Sequence, residues 1–198
     1  LACSIFGSEN LIFLGYDEPE LFERFSRVIT DVILKMAAVM DEEAGVTADS
    51  CRGFSFADDN CCLLTPDLYR AFGYPVLRDV FARYSPDPDD KRYQHSDSAM
   101  AHLLPILGEL DLNGVNFGPT VMVPEIRKYL PHARIDGCIA PFTFMRNEED
   151  KLTEETLRDI RYGKEFGGVN INTAGSINNG SLLTSMRQIM SLIQREGM

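Results

Sequence analysis

Two short polar clusters in this chain carry side chains that could transfer protons. They are His95-Ser96-Asp97 and Asp58-Asp59-Asn60. An imidazole and a carboxylate two residues apart can share a proton or bind one metal ion when both point into the same pocket. Adjacent carboxylates repel each other, which raises the pKa of one and leaves an acid beside a base. A structural interpretation is also open, because Ser96 or Asp97 could cap a helix and the Asp-Asp-Asn cluster suits a turn.

Both clusters stand where a short apolar run ends, which indicates the elements that must position them. Runs of this kind alternate with amphipathic helices along the chain, a pattern that predicts parallel strands with helical crossovers. Chemistry in such folds collects at the carboxyl ends of the strands. The six predicted strands are Leu1–Gly7, Gly53–Phe56, Arg92–Gln94, Gly114–Phe117, Arg134–Ile139 and Gly168–Ile171.

Several further polar residues at or near these strand ends are candidates for substrate binding. One of them lies in the charged segment Phe142–Lys151, which we interpret as a loop that could act as a lid. The two other histidines, His102 and His132, are weaker candidates, since one falls within a predicted helix and the other in a connection. The candidate binding residues are Ser8, Asn60, Asn116, Asn172 and Arg146.

The number of predicted strands bears on the fold class. A closed eightfold barrel typically needs about 250 residues, and this chain has 198 residues and opens on Leu1 without an initiator Met. One interpretation is a single partial domain, residues 1–198, of a (β/α)8 TIM barrel that lacks its first two strand-helix units. The alternative is an open doubly wound sheet that is complete as it stands.

The longest predicted helix starts near Asp17 and ends at Gly45. Acidic residues and Pro19 in its first turn suit a helix N-terminus. Apolar residues then recur at spacings of three and four, which predicts one buried face. That face comprises Leu21, Phe25, Val28, Ile29, Val32, Met36, Val39 and Met40.

Composition excludes some classes of partner. The net charge is −11, from 30 acidic and 19 basic residues, and no basic run occurs, which disfavours nucleic acid. No apolar stretch reaches the roughly 18 residues of a membrane span. Five cysteines without CxxC spacing are typical of reduced thiols, which predicts a cytoplasmic protein. No phosphate-binding loop, GxGxxG, HExxH or GxSxG motif is present.

The order of these motifs resembles that of the uroporphyrinogen decarboxylase superfamily over nearly the whole chain. The resemblance rests on the segment from Gly53 through Asp58-Asp59-Asn60 to Thr65-Pro66-Asp67, then on His95-Ser96-Asp97, and then on Gly114-Val115-Asn116. The family consists of (β/α)8 barrels that include a decarboxylase of haem biosynthesis and cobalamin-linked methyltransferases. It implies that the predicted strands are the third to the eighth of the family barrel.

The resemblance implies two reactions with different requirements. Decarboxylation of a tetrapyrrole or related carboxylated substrate in porphyrin metabolism needs no cofactor. Methyl transfer would use a corrinoid protein and zinc, bound by a His-x-Cys on the fifth strand and a Cys on the eighth. Here Asp97 replaces the first Cys and Ala174 or Gly175 the second. A divalent metal on His95 and Asp97 with oxygen ligands, or no metal, remains open.

We therefore predict an enzyme in which His95 is the acid, base or metal ligand and Asp97 orients it. Asp58 or Asp59 would polarise a small-molecule substrate. Uroporphyrinogen carries eight carboxylates, yet the strand ends are acidic, which disfavours that substrate itself. A rival interpretation is a non-catalytic binding barrel. If two strands are lacking, exposed strand edges predict a homodimer or association through the missing segment.

Overall fold

The computed structural model describes residues 1–197. They form two compact units. Unit 1 comprises Leu1–Tyr93 and His102–Leu112, and unit 2 comprises Gln94–Ala101 and residues 113–197. The boundary falls within the second strand, so each unit contains some of the alternating strands and helices. No described helix is both long and apolar enough to cross a bilayer.

Unit 1 is mostly helical. Three short 3-10 helices, Asp59–Leu63, Ala101–Leu103 and Gly108–Leu110, lie in or at the edge of it. Its other elements are α1 (Ala2–Phe6), α2 (Ser8–Asp17), α3 (Pro19–Ala44), β1 (Phe54–Ala57), α4 (Pro66–Ala71), α5 (Gly73–Tyr84), the first residues of β2 (Arg92–Ser96) and α6 (Leu104–Leu107).

The long helix α3 confirms the boundaries that the sequence predicts. Pro19 occupies the first turn, where its missing N–H costs nothing, and Gly45 ends the helix in the left-handed conformation, with φ of 67°. Its buried residues include Phe22, Ile29 and Ser26, whose hydroxyl donates to the Phe72 carbonyl at 2.7 Å. The predicted face was wrong in part, because these apolar residues are exposed: Leu21, Val28, Val32, Met36, Val39 and Met40.

The predicted first strand, Leu1–Gly7, was also wrong. This segment forms helix α1, and α2 follows it directly, with Ser8 as its first residue. A short apolar run without period-two alternation does not distinguish a strand from a helix. The described chain therefore holds five of the six predicted strands, and Ser8 does not follow a strand.

The N-terminus of α4 has a capping side chain that can be tested. The Thr65 hydroxyl accepts a hydrogen bond from the Leu68 N–H at 3.3 Å, and Pro66 follows at the first helical position. We expect Thr65→Ala to lower the free energy of unfolding by about 1 kcal/mol, measured by urea denaturation. The control is Thr184→Ala at an exposed position of α10, which should change it by no more than about 0.5 kcal/mol. Equal effects of both changes would contradict the capping role.

Unit 2 contains the remaining strands with their helices. Strands β3, β4 and β5 are parallel and adjacent in chain order, with Val115 opposite Ile135 and Ile135 opposite Val169. These elements are β3 (Gly114–Phe117), α7 (Val123–Arg127), β4 (Arg134–Asp136), α8 (Pro141–Met145), α9 (Glu149–Phe166), β5 (Val169–Asn170) and α10 (Leu183–Glu196).

The core of unit 2 lies between its strands and the helices that follow these strands in the sequence. All four residues of β3 are buried, as expected of a parallel strand. Ile139, Phe144 and Leu152 form a buried cluster. The segment Phe142–Lys151 is not a loop, since it contains most of α8 and the start of α9. This packing fixes the ends of β3, β4 and β5.

Candidate functional site in unit 2

The imidazole of His95 lies between an amide and a carboxylate. Its Nδ1 is 2.7 Å from Oδ1 of Asn116, and its Nε2 is 3.1 Å from Oδ1 of Asp97. The His95 side chain is 27% exposed and that of Asp97 is 45% exposed. The ring is therefore held on one side while Nε2, beside a carboxylate, remains within reach of solvent or a ligand. This arrangement suits a group that accepts or donates a proton.

Asn116 occupies the buried side of this arrangement. It lies in β3 and is 5% exposed. Its Nδ2 donates to the backbone carbonyl of Asp136 and to that of Thr173, the latter at 3.2 Å. Only the amide nitrogen can donate to carbonyl oxygens, so these two bonds place Oδ1 toward His95. Asn116 is predicted to bind substrate. In the structure, its side chain connects β3 to the end of β4 and to the segment after β5, next to the His95 imidazole.

Three glycines allow the strand ends to approach this closely. A Cβ at Gly118 would lie 2.6 Å from the Asp97 carbonyl oxygen, and one at Gly175 would lie 2.5 Å from Asp97 Oδ1. Gly137 has φ of +91°, and a Cβ there would lie 2.8 Å from Asn116 Nδ2. Contacts below 3.0 Å are not tolerated without movement. Gly118 and Gly137 are not among the site residues that the sequence predicts, although a glycine directly after a buried strand is a signal for such a close approach.

The middle residue of the first cluster has a local structural role. The Ser96 side chain is buried, and its hydroxyl accepts a hydrogen bond from the Ser98 N–H at 3.3 Å. This bond shapes the turn after β2. The next helix begins only at Ala101, so Ser96 does not have the helix-capping role that the alternative interpretation predicts. The proton-transfer interpretation of His95 and Asp97 stays a prediction.

The other candidates of unit 2 are occupied elsewhere. The Asn172 side chain accepts from the N–H of Thr173 at 2.9 Å, within its own turn. Arg146 ends α8, lies 3.9 Å from a Glu148 carboxylate oxygen and stacks over the Phe142 ring. Arg134 pairs with Asp136 at 2.9 Å. Each of these two guanidinium groups thus lies within 4 Å of a carboxylate oxygen.

The second acidic cluster belongs to unit 1. Asp58 and Asn60 line a cavity of about 230 Å³ whose walls are mainly apolar. Burial is the main cause that raises the pKa of Asp58, and the charge of Asp59 adds to it. Asp59 begins the 3-10 helix after β1 and is exposed. The sequence correctly indicated one perturbed carboxyl here, although burial contributes more than the neighbouring charge.

Two comparisons with known proteins agree with this architecture. The sequence pattern of the family described as uroporphyrinogen decarboxylase (URO-D) matches residues 1–195. A methyltransferase from Methanosarcina mazei has a similar structure, with a TM-score of 0.72 and 16% identity. The similarity covers 98% of this chain and 55% of that one, so the chain spans little more than half the length of the methyltransferase. No curated protein sequence matches significantly. The predicted α/β barrel class is thereby confirmed.

Proposed function

The chain belongs to the uroporphyrinogen decarboxylase family, and we propose that it takes part in decarboxylating a small carboxylated substrate of the tetrapyrrole type. The observation that supports this proposal is the His95 imidazole, whose Nε2 lies 3.1 Å from an Asp97 oxygen. Loss of CO2 breaks a carbon–carbon bond and leaves its electron pair on carbon. A proton must then reach that carbon, and an imidazolium can donate it.

Asp97 has a defined part in this chemistry. A carboxylate beside Nε2 stabilises the imidazolium while the proton is held and keeps the ring oriented toward the reacting carbon. The roles that the sequence predicts for Asp58 and Asp59, polarising the substrate, stay predictions. Single Asp58→Asn and Asp59→Asn variants would test them separately.

The donor set of unit 2 supports decarboxylation over zinc-dependent methyl transfer. Zinc sites in proteins have three or four ligands drawn from Cys, His, Asp and Glu, and the methyltransferase resemblance implies two Cys among them. At the positions where the methyltransferase resemblance implies cysteines, this chain has Asp97 and either Ala174 or Gly175, and the Asp97 carboxylate fills the space that a side chain at 175 would need. The residues do not fit a thiolate zinc site. Metal binding by His95 and Asp97 alone is a separate proposal, to be tested by elemental analysis.

The charges around the site narrow the substrate class. The charged group that contacts the His95 imidazole is the Asp97 carboxylate. A substrate with many carboxylates would meet repulsion here, since each added like charge raises the cost of binding. We therefore propose a substrate with fewer carboxylates than uroporphyrinogen.

The test is a direct assay of carboxylate loss. Coproporphyrinogen and uroporphyrinogen are incubated anaerobically with the protein, and products are counted by carboxylate number and released CO2. We expect turnover that falls between about 100-fold and 10,000-fold in His95→Gln, with a smaller loss in Asp97→Asn. Asp150→Asn, an exposed carboxylate of α9, is the matched control and should retain full activity.

Two results would overturn this proposal. Methyl transfer that requires an added corrinoid protein, with no release of CO2, would place the chain with the methyltransferases instead. Binding of a porphyrinogen with equal affinity by wild type, His95→Gln and Asp97→Asn, without turnover, would indicate a binding barrel.

A further inference from the structure

Helix α3 presents an apolar stripe to solvent, although its sequence pattern is that of a buried face. The stripe consists of Leu21, Val28, Val32, Met36 and Val39. These residues are between 38% and 60% exposed in the described structure. They recur at spacings of three, four and seven residues, so they share one side of the helix, over a length of about 27 Å. Contiguous apolar surface of this kind marks an interaction site.

A row of four charged residues borders this stripe. The charged row consists of Arg24, Asp31, Lys35 and Glu42. These residues follow one another at intervals of seven, four and seven positions, and such intervals return to nearly the same angle on a helix with 3.6 residues per turn. All four are exposed, their signs alternate, and none of them forms an ion pair with another described residue. The row can therefore meet the charges of a second surface.

The charged row is symmetric in position and opposite in sign about the middle of the helix. Reversing the helix about Ile33 exchanges Arg24 with Glu42, and it exchanges Asp31 with Lys35. Two copies of α3 that lie antiparallel therefore bring each charge of one row beside an opposite charge of the other row. Parallel copies in register would bring like charges together, which is costly.

The apolar stripe has nearly the same symmetry. With the half-buried Phe25 included, its positions up to Val39 are spaced by three, four, four and three residues, an order that is symmetric about Val32. The centre of the stripe and the centre of the charged row differ by one residue, or about 1.5 Å along the axis. One antiparallel arrangement thus pairs the apolar side chains and the charges together.

We propose that α3 is a self-complementary interface through which two copies of this chain form an antiparallel, two-fold symmetric dimer. In such a dimer the same surface serves both partners. Burial of the apolar stripe stabilises the contact, while the charged row sets its orientation and register. One pair of helices is a small contact compared with the roughly 800 Å² per partner of a standard interface, so we expect a dissociation constant in the micromolar range. The contact is made by a helix, whereas the sequence predicts association through strand edges.

The test is sedimentation equilibrium of the 198-residue chain at concentrations from about 2 to 200 μM, where we expect reversible dimerisation. Val32→Glu, in the middle of the stripe, should raise the dissociation constant at least about 100-fold, because it brings two carboxylates into an apolar contact. Arg24→Glu should raise the dissociation constant about tenfold. The double variant of Arg24→Glu with Glu42→Arg restores opposite charges and should recover most of the wild-type affinity.

Met190→Glu and Arg187→Glu are the matched controls. Both residues are exposed on α10, and the two variants change the net charge as Val32→Glu and Arg24→Glu do. They should dimerise as the wild type does, and circular dichroism checks that every variant is folded.

Three results would overturn the proposal. The first is a wild-type chain that stays monomeric throughout, or that forms only aggregates larger than a dimer, which would leave the stripe to a different partner. The second is a dimer that Val32→Glu or Arg24→Glu leaves unchanged, or that the controls weaken equally, because its contact would lie on another surface. The third is a loss in Arg24→Glu that Glu42→Arg does not reverse, which would exclude the antiparallel register.

Discussion

Between pH 4 and pH 7, the titration of Asp159 is expected to change the free energy of unfolding by about 3 kcal/mol, and Asp159→Asn should abolish this change. Asp159 lies in α9 and is fully buried. Its pKa is raised to about 6, mainly by burial and to a smaller extent by the charge of Glu155, while the attraction of Arg158 opposes the increase. One carboxylate oxygen accepts from Arg158 at 2.8 Å, and the other has no hydrogen-bond partner among the described residues.

The direction of the effect follows from which state binds the proton more tightly. The folded carboxyl has a pKa of about 6 and the unfolded one about 3.8, so the folded state holds the proton at pH values where the unfolded state has lost it. This contribution to stability is fully present below about pH 4 and is lost as the pH rises through about 6. An amide at 159 does not titrate, so the variant should gain stability relative to wild type over the same window.

The measurement is urea unfolding followed by circular dichroism at several pH values, because the chain has no Trp. The quantity compared is the difference in unfolding free energy between variant and wild type. Asp150→Asn, exposed in the first turn of the same helix, should give a difference that is nearly constant with pH. Superimposable pH profiles for Asp159→Asn and wild type would show that Asp159 titrates normally in the folded chain.

The buried acids of α9 illustrate where sequence periodicity stops being informative. The apolar Ile160 is buried, as its residue type suggests, but Glu155 and Asp159 are buried beside it. Glu155 accepts from the Ala140 N–H at 2.8 Å and from the Thr143 hydroxyl at 2.9 Å, at the start of α8. Acidic residues are assigned to solvent by default, because an unpaired charge is costly to bury. Only the folded structure shows that hydrogen-bond donors lie beside these two buried carboxylates.

Helix α3 shows the complementary error. Its boundaries were predictable because Pro and Gly act locally, on single dihedral angles and single hydrogen bonds. Its buried face was not, because the apolar residues of this helix cover more of its circumference than one interface buries. Ser26 and Thr30 are buried while Val28 and Val32 are exposed. Periodicity indicates that a helix packs, whereas its partners decide which stripe faces them.

The sequence predicts the candidate site only to the extent that it predicts where the strands end. His95 and Asp97 were found because polar residues follow an apolar run, and Asn116 because the family resemblance includes it. The contact between Asn116 and His95 could not be predicted, since Asn116 meets the Asp136 and Thr173 carbonyls through pairing between strands distant in sequence. Such contacts depend on register, which a single sequence specifies weakly.

Gly137→Ala is expected to lower the free energy of unfolding by about 3 kcal/mol and to disturb His95. Gly137 has φ of +91°, a conformation that costs a residue with a Cβ about 1–2 kcal/mol. The added methyl would also lie 2.6 Å from the Thr173 carbonyl oxygen and 2.8 Å from Asn116 Nδ2. Overpacking of this kind typically adds about 1–3 kcal/mol. Because the displaced nitrogen is the one that orients the Asn116 amide, which contacts His95 Nδ1, the NMR signals of the His95 ring should shift as well.

Gly167→Ala separates the two causes. Gly167 also belongs to unit 2 and has φ of +67°, but a Cβ there would meet nothing within 4 Å. With ψ of 170° it lies in a backbone region that is nearly restricted to glycine, so Gly167→Ala should lose only the backbone part, about 1–3 kcal/mol, and leave the His95 ring signals unchanged. Urea unfolding measures the first quantity, and a proton–nitrogen NMR spectrum of the chain labelled with nitrogen-15 in histidine measures the second. If both variants lost the same stability and neither altered His95, the close approach of Gly137 to Asn116 would have no energetic significance, and the amide would be held by other contacts.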